Sequence, residues 1–357
     1  MRVLLITENL GSGGAEHQLV GLAALLQERG YDVVVLTYLK GQFYEPFLKE
    51  HNVKYIFDGK LLNKYMRVLR LARVIKRLSP NIVISFLPAV NTSVGLVRLF
   101  NHKFNLIVSE RSHTLIFNLK TYFQFWLYNK TAQYVVTNSV SEANNLKRHY
   151  PSLSNKIRTI SNFVNTADFC PVDNLPNNSS LRILCVGRII ASKNVLLFVE
   201  AIKKLIDEGF SIKCKWVGSM YDSLYTQKVK NKMQELALAD VIELADQTND
   251  IVSEYQQADI FCMPSLLEGY PNVLVEAMSC ALPVVCSDVY ENSYIVNEGE
   301  NGFLFNPHDI DGIVNALKKM LLLTVDERII MGLHNREQII HDNSPVKFVT
   351  QYIKLFD

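Results

Sequence analysis

Apolar residues along the chain follow two alternating spacings. Short continuous apolar runs mark strands buried on both faces; they occur at 3–7, 31–37, 55–58, 81–86, 105–110, 134–138 and 156–162. Between several of them the apolar positions recur every three to four residues, which predicts helices over 18–29, 43–51, 64–78 and 141–149. Gly30 is placed to end the first of these helices and Ser141 to cap the last. A strand, a glycine-rich turn, a helix and a second strand in that order open a doubly wound parallel sheet.

The pattern then starts again. Strands are expected at 181–187, 212–218, 241–245, 260–264, 282–287 and 302–305, with helices over 195–208, 250–258, 273–280, 310–323 and 348–356. The fold class is therefore α/β, with two Rossmann-like parallel-sheet domains over 1–168 and 181–341. A terminal helix within 342–357 is able to cross back to the first domain, and the polar, Asn-rich stretch 168–180 with its two prolines reads as the linker.

Charge sharpens this division. The net charge is only +2. Residues 1–165, however, carry 21 Lys and Arg against 9 Asp and Glu, while the rest carry 16 against 26. A basic half suits an anionic partner such as a diphosphate, lipid headgroups or nucleic acid. The helix expected over 64–78 carries Lys64, Arg67, Arg70, Arg73, Lys76 and Arg77, either as a solvated face or as a membrane-surface contact. Only one aromatic, Tyr65, lies among these cations and no repeated aromatic-basic interleaving marks the segment, which argues against nucleic acid. The following segment, 115–134, is dense in aromatics, including Phe123 and Trp126, and supplies either core or an apolar rim against a bilayer. No run of about eighteen apolar residues suggests a spanning helix, and the start of the chain lacks the pattern of a secretory signal, so a cytoplasmic location is expected. Six cysteines without a Cys-x-x-Cys pair read as buried free thiols, and no His/Cys grouping has metal-site spacing.

Candidate chemistry concentrates at the carboxyl ends of expected strands, where doubly wound sheets hold ligands. After the run at 260–264 come Glu268, Gly269, Tyr270, Pro271, Asn272 and Val273, and then Glu276 inside a helix. The amides at that helix start, near Asn272 and Val273, are expected to be free and to suit a phosphate. Glu268 and Glu276 suit vicinal sugar hydroxyls. Acids near a helix start are also common for purely structural reasons. Arg188 and Lys193 follow the first strand of the second domain and suit a diphosphate without a metal. In the first domain, Gly11, Gly13 and Gly14 permit close approach of backbone to a ligand, or form an ordinary tight turn, and the spacing is not that of a dinucleotide fingerprint. Glu110, Arg111 and His113 end the strand at 105–110 as ligand contacts or as a surface loop.

Five short motifs, in order, resemble one family over nearly the whole chain. They are Gly13-Gly14-Ala15-Glu16; Val186-Gly187-Arg188 with Lys193-Asn194; Pro264-Ser265; Glu268 through Glu276 with Ala277-Met278; and Asn301-Gly302-Phe303-Leu304. Together they resemble a retaining glycosyltransferase of family 4, of the bacterial surface-polysaccharide type. The resemblance implies the GT-B fold, two Rossmann-like domains facing across a cleft. It implies a nucleotide-sugar donor, with UDP expected, and no cofactor or bound metal. It assigns the donor diphosphate to Arg188 and Lys193, the ribose hydroxyls to Glu276 and the donor sugar to Glu268. Backbone amides of Gly269, Tyr270, Asn272 and Val273 would lie near sugar and phosphate, and Gly13 and Gly14 would close over the donor. His113 takes the family's first-domain histidine, with Glu110 and Arg111 as rivals on the acceptor side. The expected acceptor is a lipid-linked saccharide of O-antigen or capsule assembly, met at the inner face of the membrane through the basic, aromatic first domain, with no nucleic-acid partner. The rival readings are a nucleotide-sugar epimerase of the same fold and a non-catalytic sugar-nucleotide binder.

Overall fold

The computed structural model describes residues 1–63, 66–101, 103–172 and 180–357. The chain forms two compact units, Met1–Phe163 with Pro345–Asp357, and Val164–Ser344.

The first unit is built on seven parallel strands: β1 (Arg2–Ile6), β2 (Asp32–Thr37), β3 (Lys54–Phe57), β4 (Ile82–Phe86), β5 (Asn105–Glu110), β6 (Tyr134–Thr137) and β7 (Ile157–Thr159), ordered β3-β2-β1-β4-β5-β6-β7. Its helices are α1 (Gly14–Glu28), α2 (Glu45–Glu50), α3 (Arg67–Leu78), α4 (Pro88–Phe100), α5 (Leu119–Thr131) and α6 (Val140–His149). The second unit has six parallel strands: β8 (Leu181–Val186), β9 (Ile212–Val217), β10 (Ile242–Ala245), β11 (Ile260–Met263), β12 (Val284–Ser287) and β13 (Gly302–Phe305), ordered β10-β9-β8-β11-β12-β13. Around it lie α7 (Val195–Asp207), α8 (Ser223–Glu235), α9 (Ile251–Gln256), α10 (Asn272–Ser279), α11 (Asn292–Ile295), α12 (Ile310–Leu322) and α13 (Val325–Asp342). The last helix, α14 (Pro345–Ile353), belongs to the first unit and packs on α1.

In both sheets the strand order reverses beside the first strand of the unit, the topology that opens a crevice at the carboxyl ends. The central strands are buried along their whole length, as β4 and β11 show, because helices cover both faces. In the first unit, side chains from α3, α4, α5 and α6 join one cluster with Leu4, Val83 and Val108, while those from α1, α2 and α14 join another with Val3, Ile84 and Ile107. Alternate strand residues thus feed opposite faces. Each fully buried Val, Leu or Ile contributes roughly 1.5–3 kcal/mol, so the period-2 and period-3.6 patterns together fix which face each element turns inward.

Several details depart from the sequence reading. Five helices, α4, α5, α8, α11 and α13, occupy stretches where the sequence reading placed no element. α4 begins with Pro88, a favourable first residue, but Asn91, Thr92 and Ser93 break its apolar stripe. α8 buries only Thr226, Val229 and Met233, too few to register as a stripe. α13 carries a capping box from Thr324 to Glu327, a start signal that a mostly polar helix body obscured. The cap of α6 is Ser139, whose side chain accepts from the Glu142 amide, and not Ser141 two residues on. Helix α1 begins at Gly14, four residues before the expected Gln18, so Gly13 is its N-cap. Of the basic helix expected over 64–78, α3 covers Arg67–Leu78, and Lys64 lies outside the described residues. Of the expected linker, 173–179 lie outside them too; Phe169 is fastened to the second unit by Ser279 Oγ and Arg336, which donate to its carbonyl at 2.7 and 3.1 Å.

Candidate functional site

In the second unit two loops meet at the carboxyl ends of β8 and β11. The first leaves β8 at Gly187. An ideal Cβ on Gly218, at the end of β9, would stand 2.1 Å from the Gly187 carbonyl oxygen, so the two backbones approach more closely than any side chain allows. Trp216 Nε1 donates to that carbonyl at 2.8 Å, and the Ile189 amide donates to Ser219 O at 3.0 Å. The loop is therefore fixed at its base. Beyond it Arg188 is exposed, its guanidinium 5.9 Å from the Tyr221 ring centroid. A short 3-10 turn, Ala191–Lys193, delivers Lys193. Asn194 ends the turn in the left-handed region (φ 61°), which asparagine tolerates, and its Nδ2 donates to Pro307 O at 2.7 Å.

The second loop leaves β11 through Pro264 and the buried Ser265, whose carbonyl accepts from Ser287 Oγ at 2.7 Å. The Leu266 amide donates to Ser192 O at 2.8 Å and ties the two loops together. Glu268 follows, and Lys193 Nζ lies 2.5 Å from its Oε1, the two side chains being 17% and 12% exposed. These two residues, 75 positions apart in sequence, form a charge-assisted hydrogen bond in a mostly desolvated setting. Tyr270 is buried, and its hydroxyl accepts from Asn343 Nδ2 at 2.5 Å.

Helix α10 then begins. The Asn272 amide is not free, as the sequence reading had it: the turn folds back so that it donates to Tyr270 O at 3.0 Å. The helix's own ladder starts with Leu274 and Val275 on the Pro271 carbonyl. Glu276 sits one turn in, and Tyr255 on α9 donates to its Oε2 at 2.9 Å. Burial pushes the Glu276 carboxyl up to about 7, against the opposing pull of the Tyr255 hydrogen bond. Its charge is therefore poised near neutrality. The Asn301-Gly302 motif is a structural clasp: Asn301 is fully buried, accepts from the Asn297 amide at 2.7 Å and donates to Gln338 Oε1 at 2.7 Å.

The first unit holds the remaining candidates. Gly13 caps α1 without a side-chain bond, and the Glu16 carboxylate folds over it. At the end of β5, Glu110 is buried, and its Oε1 receives Asn91 Nδ2 and the Tyr128 hydroxyl, both at 2.9 Å. Burial raises its pKa to about 7; those two hydrogen bonds oppose the rise, while the nearby Glu142 adds to it. Arg111 is also buried: it donates to Asn162 Oδ1 and lies over the Phe86 ring at 5.1 Å. His113 is the more accessible of the three, 13% exposed, with Nδ1 3.0 Å from Oε2 of the fully buried Glu142. A carboxylate at Nδ1 favours the tautomer protonated there. Burial alone would raise the Glu142 pKa, but hydrogen bonds from His113, Thr114 and Asn145 outweigh it and hold the carboxyl below its usual range.

The structure thus joins Lys193 with Glu268 directly and anchors Glu276 from α9. Arg188 stands on the Lys193 loop, with Tyr221 as its aromatic neighbour. Sequence reasoning missed Tyr255, Trp216, Ser192 and Glu142. None of them carries a local signature, because each acts through a contact formed between distant segments. Among the described residues no group of three or more His, Cys, Asp or Glu side chains is arranged to hold a metal.

Comparison with known proteins gives a consistent picture. Residues 12–168 match the family model described as Glycosyltransferase Family 4, and residues 170–336 match Glycosyl transferases group 1. An N-acetyl-D-galactosaminyltransferase of Campylobacter jejuni is 24% identical over 366 residues, covering 99% of this chain and 98% of its own; the substrate in its name is a GalNAc-containing saccharide on diphosphoundecaprenol. An Escherichia coli UDP-Gal:alpha-D-GlcNAc-diphosphoundecaprenol alpha-1,3-galactosyltransferase is 30% identical over 213 residues, 56% of this chain and 54% of the relative. Among solved structures, Anabaena Alr3699/HepE in complex with UDP superposes with a TM-score of 0.88 at 15% identity, covering 99% of both chains. That likeness establishes the fold.

Proposed function

Because the chain belongs to the glycosyltransferases that join a family 4 domain to a group 1 domain, we propose that it moves a hexose or N-acetylhexosamine from a UDP-sugar to a lipid-linked saccharide, with retention of configuration, at the inner face of the membrane during O-antigen, capsule or related polysaccharide assembly. The observation that carries this reading is the Lys193–Glu268 pair, held by the loops at the carboxyl ends of β8 and β11, with Glu276 next along the chain in α10. One cation and two acids of this kind match the parts of a nucleotide-sugar: the diphosphate, the ribose and the hexose. The substrates of the Campylobacter and Escherichia relatives, both carried on diphosphoundecaprenol, support the acceptor class.

In this mechanism the acceptor hydroxyl attacks the anomeric carbon as the bond from that carbon to the UDP β-phosphate oxygen breaks. The acceptor proton passes to the departing phosphate on the same face. The transition state is oxocarbenium-like, so charge builds on the leaving diphosphate. Arg188 and Lys193, carried by the loop fixed at its base after β8, stabilise it. No bound metal is required in this scheme. Glu268 holds donor-sugar hydroxyls and leaves Lys193 to the phosphate once the donor is in place. Glu276 accepts from the ribose hydroxyls in its ionised form. His113, oriented by Glu142, serves the acceptor side.

The test is nucleotide release from a panel of UDP- and GDP-sugars, with and without bacterial membrane lipid extract, in the presence and absence of EDTA. Release is expected with one UDP-sugar, only with the extract, unaffected by EDTA, and lost in Glu268→Ala and Arg188→Ala. Release without acceptor, with interconversion of the sugar, would favour an epimerase. A covalent glycosyl-Glu268 adduct would replace the proposed same-face transfer with a double displacement.

A further inference from the structure

The chain passes between its two units twice, after Phe163 and after Ser344. Buried hydrogen bonds hold the residues at both passages. On the first-unit side, Gln18 of α1 accepts from the Phe163 amide and donates to the Phe163 carbonyl, each at 2.9 Å. On the second-unit side, the next amide along, that of Val164, donates to the Asn343 carbonyl at 2.9 Å. Asn343 itself ends α13, its amide donating to Ile339 O at 2.8 Å, and Ser344 follows it at the second passage. A single residue therefore joins the two points at which the chain leaves the second unit.

The side chain of the same residue reaches the loop that carries Glu268. Asn343 Nδ2 donates to the Tyr270 hydroxyl at 2.5 Å, and both residues are buried. The Tyr270 ring lies in one core cluster with Val164, Leu274 and Ile339. A phenylalanine facing an apolar partner would fill that space as well, so packing does not demand the polar pair. What the pair adds is direction, because a buried hydroxyl bonded to a buried amide fixes the tip of the ring. The Glu268 loop thus has two anchors: Leu266 on Ser192 before it, and Tyr270 on Asn343 after it. Segment 164–170 is bonded in turn to the elements around Glu276. Ser279, at the end of α10, donates to Phe169 O at 2.7 Å, and Gln256, beside Tyr255 on α9, donates to Cys170 O at 2.9 Å. Arg336 on α13 donates to Thr166 O at 3.3 Å.

We propose that Asn343 is a positioning residue for the donor site. Through the Tyr270 hydroxyl it fixes the Glu268 loop, and through its carbonyl it ties that loop to segment 164–170. Occupancy of the donor site and the order of that segment then rise together. The proposal rests on the reading of Glu268 as a donor-sugar contact, and it adds the residue that aims the loop without touching the substrate.

The test is hydrogen exchange of the whole protein, read by mass spectrometry with and without saturating UDP. The unaltered chain is compared with Asn343→Leu, Tyr270→Phe and the double variant. Each single variant leaves one buried polar group without its partner and should have a lower Tm; the double variant removes both groups and should regain most of that loss. In the unaltered chain UDP should slow exchange over 266–276 and over 164–170 alike. In all three variants the slowing over 164–170 should disappear while that over 266–276 persists. Nucleotide release should fall about 10- to 100-fold in kcat, in the double variant as in the single ones, whereas a packing role would make activity follow the Tm. UDP-dependent slowing over 164–170 retained in the double variant, or unreduced kcat in it, would overturn the proposal. Slowing confined to 266–276 in the unaltered chain would also overturn it and would leave the donor-site reading standing. Failure of the unaltered chain to bind UDP would remove that reading and this proposal with it.

Discussion

The two units share one architectural idea and use it differently. Both are parallel sheets with helices on both faces and side chains of interest at the carboxyl strand ends. In the second unit those side chains meet: Lys193 pairs with Glu268, Ser192 is tied to Leu266, and Tyr255 braces Glu276. In the first unit the polar groups at the same end are largely occupied by one another. Glu110 is taken up by Asn91 and Tyr128, Arg111 by Asn162, and His113 rests on Glu142. Its distinguishing chemistry lies instead on a helix layer remote in kind from catalysis, cationic and aromatic. The second unit thus brings its candidate side chains together on two joined loops, whereas in the first unit the polar groups at the strand ends pair locally and the outer helices carry exposed cations and aromatics.

That contrast can be pressed at several strengths. Arg188→Ala should do most, because it removes charge stabilisation from the leaving diphosphate. A loss of about 10²–10³ in kcat is expected from oxyanion-type precedent, measured by steady-state nucleotide release. An equal loss from substituting Arg111 would blur the division between the units. Gly218→Ala should come next. Its methyl would collide with the Gly187 carbonyl, and with backbone on both sides the strain should cost about 3 kcal/mol. Thermal unfolding should report it as a lowered Tm, with UDP affinity falling in parallel as the Arg188 loop shifts.

Glu276→Gln has a sign that depends on pH. The native carboxyl titrates near 7, against 4.5 when exposed, so the folded chain holds a proton that the unfolded chain has released. The stability this group contributes is complete below about pH 4.5 and lost as pH rises through 7. The glutamine variant escapes that loss. It should match the parent near pH 4.5 and exceed it by about 2 kcal/mol at pH 8, read by denaturant titration at both pH values, while binding UDP more weakly. A constant difference across pH would contradict the poised carboxylate. The smallest effect belongs to Tyr255→Phe. Without the hydroxyl, Glu276 loses the bond that favours its charge. The pH at which UDP affinity reaches half its maximum should move upward, at a cost of about 1 kcal/mol below pH 7. A uniform loss of affinity at all pH values would make Tyr255 a packing residue only.

Much of this was legible in the chain. Buried strands and amphipathic helices announce themselves by period, and the α10 approach by its glycine and proline. What escaped did so for physical reasons. α4 and α13 bury polar or sparse faces, so tertiary packing and caps, rather than a stripe, stabilise them. The Asn272 amide looked free because helix starts leave amides unpaired; the tight turn through Pro271 supplied a local acceptor that spacing does not reveal. The Lys193–Glu268 bond joins two residues each singled out alone, and only the meeting of the β8 and β11 loops could pair them. Ser141 and Ser139 are equally good caps by composition. The choice rests on where β6 ends, a boundary uncertain by a residue or two in any periodic reading.

The most direct test of the central claim is the mass of the product. The protein is incubated with the UDP-sugar selected by the release panel and a polyprenyl-diphosphate-linked saccharide, and the lipid fraction is analysed by mass spectrometry. Addition of a single hexose or N-acetylhexosamine, with one UDP released per sugar added and no product from Arg188→Ala, is the predicted result. Consumption of the UDP-sugar with no mass added to any lipid-linked saccharide would contradict it.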